Sequence, residues 1–292
     1  MPELGEVTIF SKIVNEAGKN YNFKSISNLS KKNPDIPVTW KEFGIRSESR
    51  GKELVIIVFR LGAGEAEEIR VLVNLSMTGI FCFNKTTEPP KYVKLQFITS
   101  CTTHSLFFSD QKGWGVWHIA EKGELWSDNR GPDPLTEYDL FRKNVLSNLK
   151  AKQFNNCICE ALLEQLYFNG IGNYLRAEIL FRAGINPFLP ARDVLQAIAD
   201  TEGEEGAKGE DILDLCRSVP QEVVTLGINK YAEDNKKWAD WCQCYDKPGM
   251  TATKDKNGRM IYHKPEFISV VKSKKVASSS TETSPSKRKK KS

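Results

Sequence analysis

Residues suited to chemistry stand at several places far apart in the chain. At 166–182 the string Leu-Tyr-Phe-Asn-Gly-Ile-Gly-Asn-Tyr-Leu-Arg-Ala-Glu-Ile-Leu-Phe-Arg sets a two-glycine turn between an apolar helix ending at Asn169-Gly170 and a second helix starting near Asn173. Unpaired N–H groups at a helix start favour an anion, and the glycines let a phosphate approach the backbone closely. Taken alone, Gly-x-Gly-Asn is more often an ordinary glycine-capped corner. Near the N-terminus Glu3 and Glu6 lie one helical turn apart, where carboxylates complement the helix dipole and can also move protons. Lys52 stands in Arg50-Gly51-Lys52-Glu53-Leu54, a turn into a strand. Arg259 directly follows the Asn257-Gly258 turn, with Lys247, Lys254, Lys256 and Lys264 around it. Such a cluster suits a phosphate backbone, although a solvated hairpin face would carry the same lysines.

Together these segments resemble the formamidopyrimidine-DNA glycosylase/endonuclease VIII family. The string at 166–182 is similar to its helix–two-turn–helix element, and residues 50–54 to its Arg-Gly-Lys-x-Leu turn. Family members begin Met-Pro-Glu and lose the methionine, leaving proline as the N-terminal nucleophile; this chain begins Met1-Pro2-Glu3-Leu4-Gly5-Glu6-Val7. Leu226-Gly227 before a basic stretch and Tyr245 through Gly249-Met250 also match, so the likeness spans about 1–265. Within the family the chain is most similar to the eukaryotic endonuclease VIII-like glycosylases with a zincless finger.

The resemblance implies a DNA glycosylase with lyase activity at abasic sites, acting in base excision repair on oxidised bases, pyrimidines first. Pro2 would attack sugar C1′. A secondary amine gives an iminium that cannot shed its charge by losing an N–H proton, so it persists as an electron sink and drives β,δ-elimination. Glu3 would protonate the sugar ring oxygen, Glu6 would shuttle protons, and Lys52 would contact a phosphate and assist proton transfer. Asn173 and Arg259 would hold phosphates, and Met77 would fill the gap left by a flipped base. Such a site needs no metal or cofactor. The implied partner is double- or single-stranded DNA bearing damaged bases or abasic sites. Two alternatives stand beside this reading: a non-catalytic lesion-binding protein on the same fold, and the same chemistry with a preference for oxidised purines or hydantoins.

The chain departs from the family pattern at named places. Leu4-Gly5 replaces the usual Gly-Pro or Leu-Pro, and Gly5 is expected to loosen the helix start that positions Pro2. In Asp110-Gln111-Lys112-Gly113-Trp114-Gly115, Lys112 keeps a basic place and Trp114 takes the aromatic wedge position. Gly113 stands where an arginine is expected, leaving opposite-base selection open. In Ile228-Asn229-Lys230-Tyr231 either Lys230, from a shifted register, or Asn229 takes the position beside the extruded lesion.

The surrounding pattern gives the elements that must carry these residues. Val7, Phe10, Val14 and Ala17 describe one amphipathic helix over 6–17, and 37–119 turns to period-two alternation, as in Lys91–Phe97. Helical spacing then runs over 136–149, 157–168, 173–183, 192–199, 211–218 and 232–244, before a hairpin at 254–262. The expected fold is α+β in two domains. Residues 1–126 form an N-terminal β-sandwich with its helix, 127–135 a linker, and 136–245 an all-α helix–two-turn–helix domain with an acidic loop at 200–211. The zincless hairpin finger covers 246–265 and a disordered basic tail 266–292.

Composition sets outer bounds. The 292 residues carry a net charge of +5, yet residues 271–292 hold eight Lys/Arg against one Glu, leaving 1–270 at −2. The longest apolar run, Leu54–Phe59, is far too short to cross a bilayer, and Glu3 and Glu6 do not suit a secretory signal. Seven scattered cysteines read as reduced thiols. Cys242 and Cys244 lack a second pair for a zinc ribbon, and His104, His118 and His263 do not complete one, so no structural metal is expected. A monomer in the nucleus is expected, with Lys287–Lys291 as an import signal, a DNA tether or a contact for repair proteins.

Overall fold

Leu4 and Val7 sit three residues apart on one helix and belong to two different hydrophobic cores. That helix, α1 (Leu4–Asn20), therefore joins the two halves of the molecule. The computed structural model describes residues 1–62, 67–121, 123–124, 126–202, 209–231 and 235–267.

Eight antiparallel strands follow: β1 (Phe23–Asn28), β2 (Phe43–Arg50), β3 (Glu53–Arg60), β4 (Glu68–Asn74), β5 (Gly79–Lys85), β6 (Val93–Thr99), β7 (His104–Asp110) and β8 (Val116–Ile119). Their hydrogen-bonding order is β5-β7-β6-β1-β2-β3-β4-β8. β1 and β2 pair at a single position, Phe23 opposite Phe43, and there the sheet turns a corner into two four-stranded layers. Phe108 on β7 meets Trp117 on β8 edge-on, ring centroids 6.0 Å apart, although those strands lie far apart in the hydrogen-bonding order. The layers thus face each other as the expected β-sandwich, with Val7, Phe10, Val14 and Ala17 of α1 packed into its core.

The second half is helical: α2 (Tyr138–Leu146), a 3₁₀ turn at Lys152–Asn155, α3 (Ile158–Ala161), α4 (Asn173–Arg182), α5 (Ala191–Asp200), α6 (Ile212–Leu226) and α7 (Lys236–Trp241). The hairpin β9 (Thr251–Lys254) and β10 (Met260–His263) ends it. This order is the α+β arrangement expected.

Several boundaries differ from the sequence expectation. The helix expected over 157–168 shrinks to α3, because the carbonyls that would continue its ladder have other partners. Ala161 O accepts from Glu164 N at 3.0 Å, one residue short of its helical partner, and Leu163 O accepts from Gln165 Nε2 at 2.9 Å. The helix expected over 211–218 runs through Pro220 to Leu226 and stops at Gly227, whose φ of +62° is left-handed. Of the expected helix 232–244, α7 covers Lys236–Trp241, and residues 232–234 lie outside the described residues. Residues 203–208 of the acidic loop lie outside them too.

Gly5 behaves otherwise than expected. A Cβ there would stand 2.7 Å from Val223 Cγ1, so its lack of a side chain lets α1 lie directly on α6. Leu4 N also donates to Gly170 O at 3.1 Å. Close packing fixes the helix start that the glycine was expected to loosen.

Candidate active site

Glu3 is the side chain around which the two halves meet. It precedes α1, yet its carboxylate caps α4: Oε1 accepts from Tyr174 N and Oε2 from Leu175 N, each at 3.1 Å. The anion at this helix start is therefore a carboxylate of the chain itself, where the sequence suggested a phosphate. Gly172 makes the contact possible, since a Cβ there would fall 2.2 Å from the Glu3 carboxyl carbon. Burial pushes the Glu3 carboxyl above its ordinary range, against the opposing pull of Lys52 and the two backbone donors.

Glu6 lies one turn deeper and is fully buried. Its Oε2 accepts from Glu3 N at 3.1 Å and from the Tyr174 hydroxyl at 2.8 Å, while Oε1 has no partner among the described residues. Burial, reinforced by Glu3, pushes its carboxyl up to about 7. Lys52, on the turn between β2 and β3, reaches across to donate from Nζ to Ile171 O at 2.5 Å. Burial pushes its ammonium down to about 8, although Glu3 pulls it up. The Met1 α-amine is likewise held below its ordinary value by burial.

A cleft of about 560 Å³ lies over these groups, lined by Met1, Glu3, Lys52, Met77, Arg130, Leu163, Gln165, Gly172, Asn173, Lys230, Tyr245, Arg259, Met260 and Tyr262. Pro2 is buried between Met1 and Glu3. Asn173 accepts from Arg176 Nη2 at 2.7 Å through Oδ1, which leaves its amide nitrogen as a donor for a ligand. Arg259 is exposed on the hairpin tip. Met77 is 46% exposed at the rim, so it is not a core residue.

Lys230 and Asn229 part ways. The Lys230 ammonium lies over the rings of Tyr245, Trp238 and Tyr174, at 4.6, 5.0 and 5.9 Å from their centroids, and lines the cleft. Asn229 instead accepts from Tyr231 N at 2.8 Å and is not part of the lining. Trp114, 59% exposed, and Lys112 also lie outside the cleft, on the β7–β8 loop. That loop is tied to the Met77 turn through buried Asp110, which accepts from Thr78 Oγ1 and from Gly115 N.

Sequence reasoning missed the supports. Arg176 is fully buried and bonds Asp255 Oδ2 at 2.8 Å, Cys159 O at 2.9 Å and Met260 O at 3.3 Å. Asp255 Oδ1 in turn accepts from Asn257 N and Arg259 N, both at 2.9 Å. The hairpin thus closes through a five-residue loop shaped by Asp255, rather than through a two-residue Asn-Gly turn. Beside the apolar packing of Ile261 and Tyr262, an ion pair anchors the finger. Glu178 accepts from Gln243, Cys244 and Tyr245 N at 2.8–2.9 Å. The signal lay in α4: Tyr174-Leu175-Arg176-Ala177-Glu178 has no polar face, so its charges must be buried and paired.

Comparison with known proteins now bears on this arrangement. Residues 1–117 match the formamidopyrimidine-DNA glycosylase N-terminal domain, and 234–266 the DNA-binding segment of endonuclease VIII-like 1. Human endonuclease 8-like 1 is 38% identical over 313 aligned positions, covering 99% of this chain and 80% of the relative. This chain belongs to the formamidopyrimidine-DNA glycosylase/endonuclease VIII family. The mouse endonuclease 8-like 1 is 36% identical, over 90% of this chain and 72% of its own length. Lactococcus lactis formamidopyrimidine-DNA glycosylase, solved with DNA containing an oxidised pyrimidine, shares the fold with a TM-score of 0.71 at 20% identity, covering 91% of this chain and 99% of that one. The family's members are DNA glycosylases with lyase activity at abasic sites.

Proposed function

We propose that this chain is a repair glycosylase that excises oxidised bases, pyrimidines foremost, and nicks the strand through a Schiff base on Pro2. The observation carrying this reading is that Met1 and Glu3, either side of Pro2, share one cleft with Lys52, Asn173 and Arg259. Removal of Met1 turns the Pro2 nitrogen into a secondary amine at the buried end of that cleft. The amine attacks C1′, the glycosidic bond breaks and the base leaves; the C1′–O4′ bond then opens as Glu3, its carboxyl raised by burial, supplies a proton to the ring oxygen. The resulting iminium acidifies the C2′ hydrogen; β-elimination expels the 3′ phosphate, δ-elimination the 5′ phosphate, and a one-nucleotide gap remains. Glu6 near 7 and Lys52 near 8 are both poised to exchange protons at neutral pH.

DNA is clasped between the sandwich of 1–126 and the helical segment 136–245 with its finger 246–265. Asn173 and Arg259 hold phosphates around a kinked, flipped nucleotide. Met77 fills the vacated stack, Trp114 and Lys112 probe beside it, and caged Lys230 faces the extruded base. The chain acts as a monomer in the nucleus; its proposed import signal, 287–291, lies outside the described residues.

Borohydride reduction on abasic-site DNA tests the chemistry, once mass spectrometry shows that Met1 is gone. The expected product is a covalent adduct on the peptide beginning at Pro2. No adduct from a correctly processed chain overturns the Schiff base and favours a lesion binder. Single-turnover excision across oxidised pyrimidines, purines and hydantoins decides base preference.

A further inference from the structure

Cys157 and Cys159 flank the first residue of α3, with their sulfurs 3.4 Å apart. Neither is in a disulfide; Cys157 is half-buried and Cys159 buried. The catalytic reading uses neither, yet both sit beneath the anchor of the finger. The Cys159 carbonyl accepts from Arg176, which also holds Asp255 and Asn173. Their neighbours Asn156 and Glu160 both grip Lys256 on the hairpin loop, Glu160 at 2.9 Å. On the other side, Cys157 bridges Pro190 and Cys159 N donates to Pro187 O at 3.2 Å. Little of this turn can move without moving what holds the finger.

We propose that Cys157 and Cys159 form a dithiol that hydroperoxides oxidise to an intramolecular disulfide, loosening the finger's grip on DNA. The link to DNA rests on the reading of Asn173 and Arg259 as phosphate contacts. The Cys157 thiolate attacks a peroxide oxygen: an S–O bond forms, the O–O bond breaks, and water or an alcohol leaves. Cys159 sulfur then attacks the sulfenic sulfur; the S–S bond forms, the S–O bond breaks and water departs, two electrons having passed from sulfur to peroxide. Exposure sets the order, since Cys157 is half-buried and Cys159 buried. The contact between the two sulfurs holds Cys157 below the usual thiol value and pushes Cys159 up. Lys256 and Glu160 face Cys157 with opposite charge. Bringing the sulfurs from 3.4 Å to a bond of about 2.05 Å draws in the turn that presents the Cys159 carbonyl and Glu160.

The test treats the full chain with hydrogen peroxide, then maps it without reduction. Both cysteines fall in one tryptic peptide, 153–176, free of other cysteines, which is expected to lose two hydrogens in the chain and not in Cys157→Ser. Binding to DNA carrying an uncleavable abasic analogue is expected to weaken on oxidation, its salt slope falling by about 1, the value of one neutralised phosphate. Dithiothreitol restores it, and Cys157→Ser shows no change. An unmodified peptide, or equal weakening of Cys157→Ser, overturns the proposal. A disulfide that leaves affinity and slope unchanged overturns the link to DNA. Borohydride trapping by the reduced chain reports separately on the catalytic reading.

Discussion

A carboxylate buried beside a second carboxylate, as Glu6 is beside Glu3, ties stability to pH in the direction opposite to a salt-bridged acid. Its folded value of about 7 lies above the ordinary 4.5, so the folded chain binds this proton more tightly. The stabilisation is complete below about 4.5, is lost as pH rises through about 7, and stays lost above. Lys52 mirrors it: its folded value of about 8 lies below 10.5, so its burial costs most below about 8 and the cost fades towards 10.5. Both groups are therefore charged and buried in the narrow window between, where proton transfer is needed. Glu6→Gln keeps an acceptor for Tyr174 and Glu3 N and removes the charge. It is expected to stabilise the chain at pH 8 by up to about 3 kcal/mol and to be neutral near pH 4.5. It should also remove the limb near pH 7 from the lyase rate profile. Urea unfolding and single-turnover rates across pH measure both, and a pH-independent difference between the two proteins would sink this account of Glu6.

At the scale of elements, the contact between the start of α1 and the start of α4 is what gives those residues their setting. Gly172→Ala places a methyl 2.2 Å from the Glu3 carboxyl carbon, so Glu3 must abandon Tyr174 and Leu175 N. The expected cost is about 1–3 kcal/mol, with trapping slowed by about a hundredfold because Pro2 moves with Glu3. Trapping at the unmodified rate would show that the α4 cap does not position the amine. The finger depends on a second such contact. Asp255→Ala leaves Arg176 buried without its carboxylate and is expected to cost about 3–5 kcal/mol, whereas Arg176→Met with Asp255→Leu recovers most of that. Hydrogen exchange across 251–263 distinguishes the two, and a stable, protected hairpin in Asp255→Ala would refute the anchor. The sequence made α1, the alternating strands and the turn at 169–173 legible, because periodicity and glycine report local geometry. It hid the shortening of α3 and the persistence of α6 through Pro220, because those depend on competition for single carbonyls and on burial. Arg176 and Asp255 were unreadable as a pair: 79 positions separate them, and no local pattern links a helix charge to a hairpin loop.

The whole molecule binds a polyanion with a body that is barely charged. Residues 1–270 sum to −2, and the acidic loop 200–211, one lysine against six acids, supplies −5 of that. On the proposed reading the cleft owes its affinity to placement, for Lys52, Asn173, Lys230 and Arg259 come from four distant segments onto one surface. Spacing along the chain could not show that convergence; the family resemblance pointed to it, and the docking of α1 on α4 and α6 explains it. The tail is the opposite case, with a net charge of +7 over 271–292 that needs no fold to act, since neutralised phosphates release counterions wherever the cations come from. A chain ending at Lys275 loses five of those cations. Its affinity for undamaged duplex should fall and its salt slope flatten by several units, about 0.9 for each phosphate no longer neutralised. Lesion excision at low salt should stay within about twofold, because specific placement is untouched. Nuclear retention in cells should drop with the same truncation. If neither the salt slope nor the nuclear fraction changes, the tail is neither a tether nor an address. If excision collapses with them, placement alone is insufficient and the cleft borrows its charge from the tail.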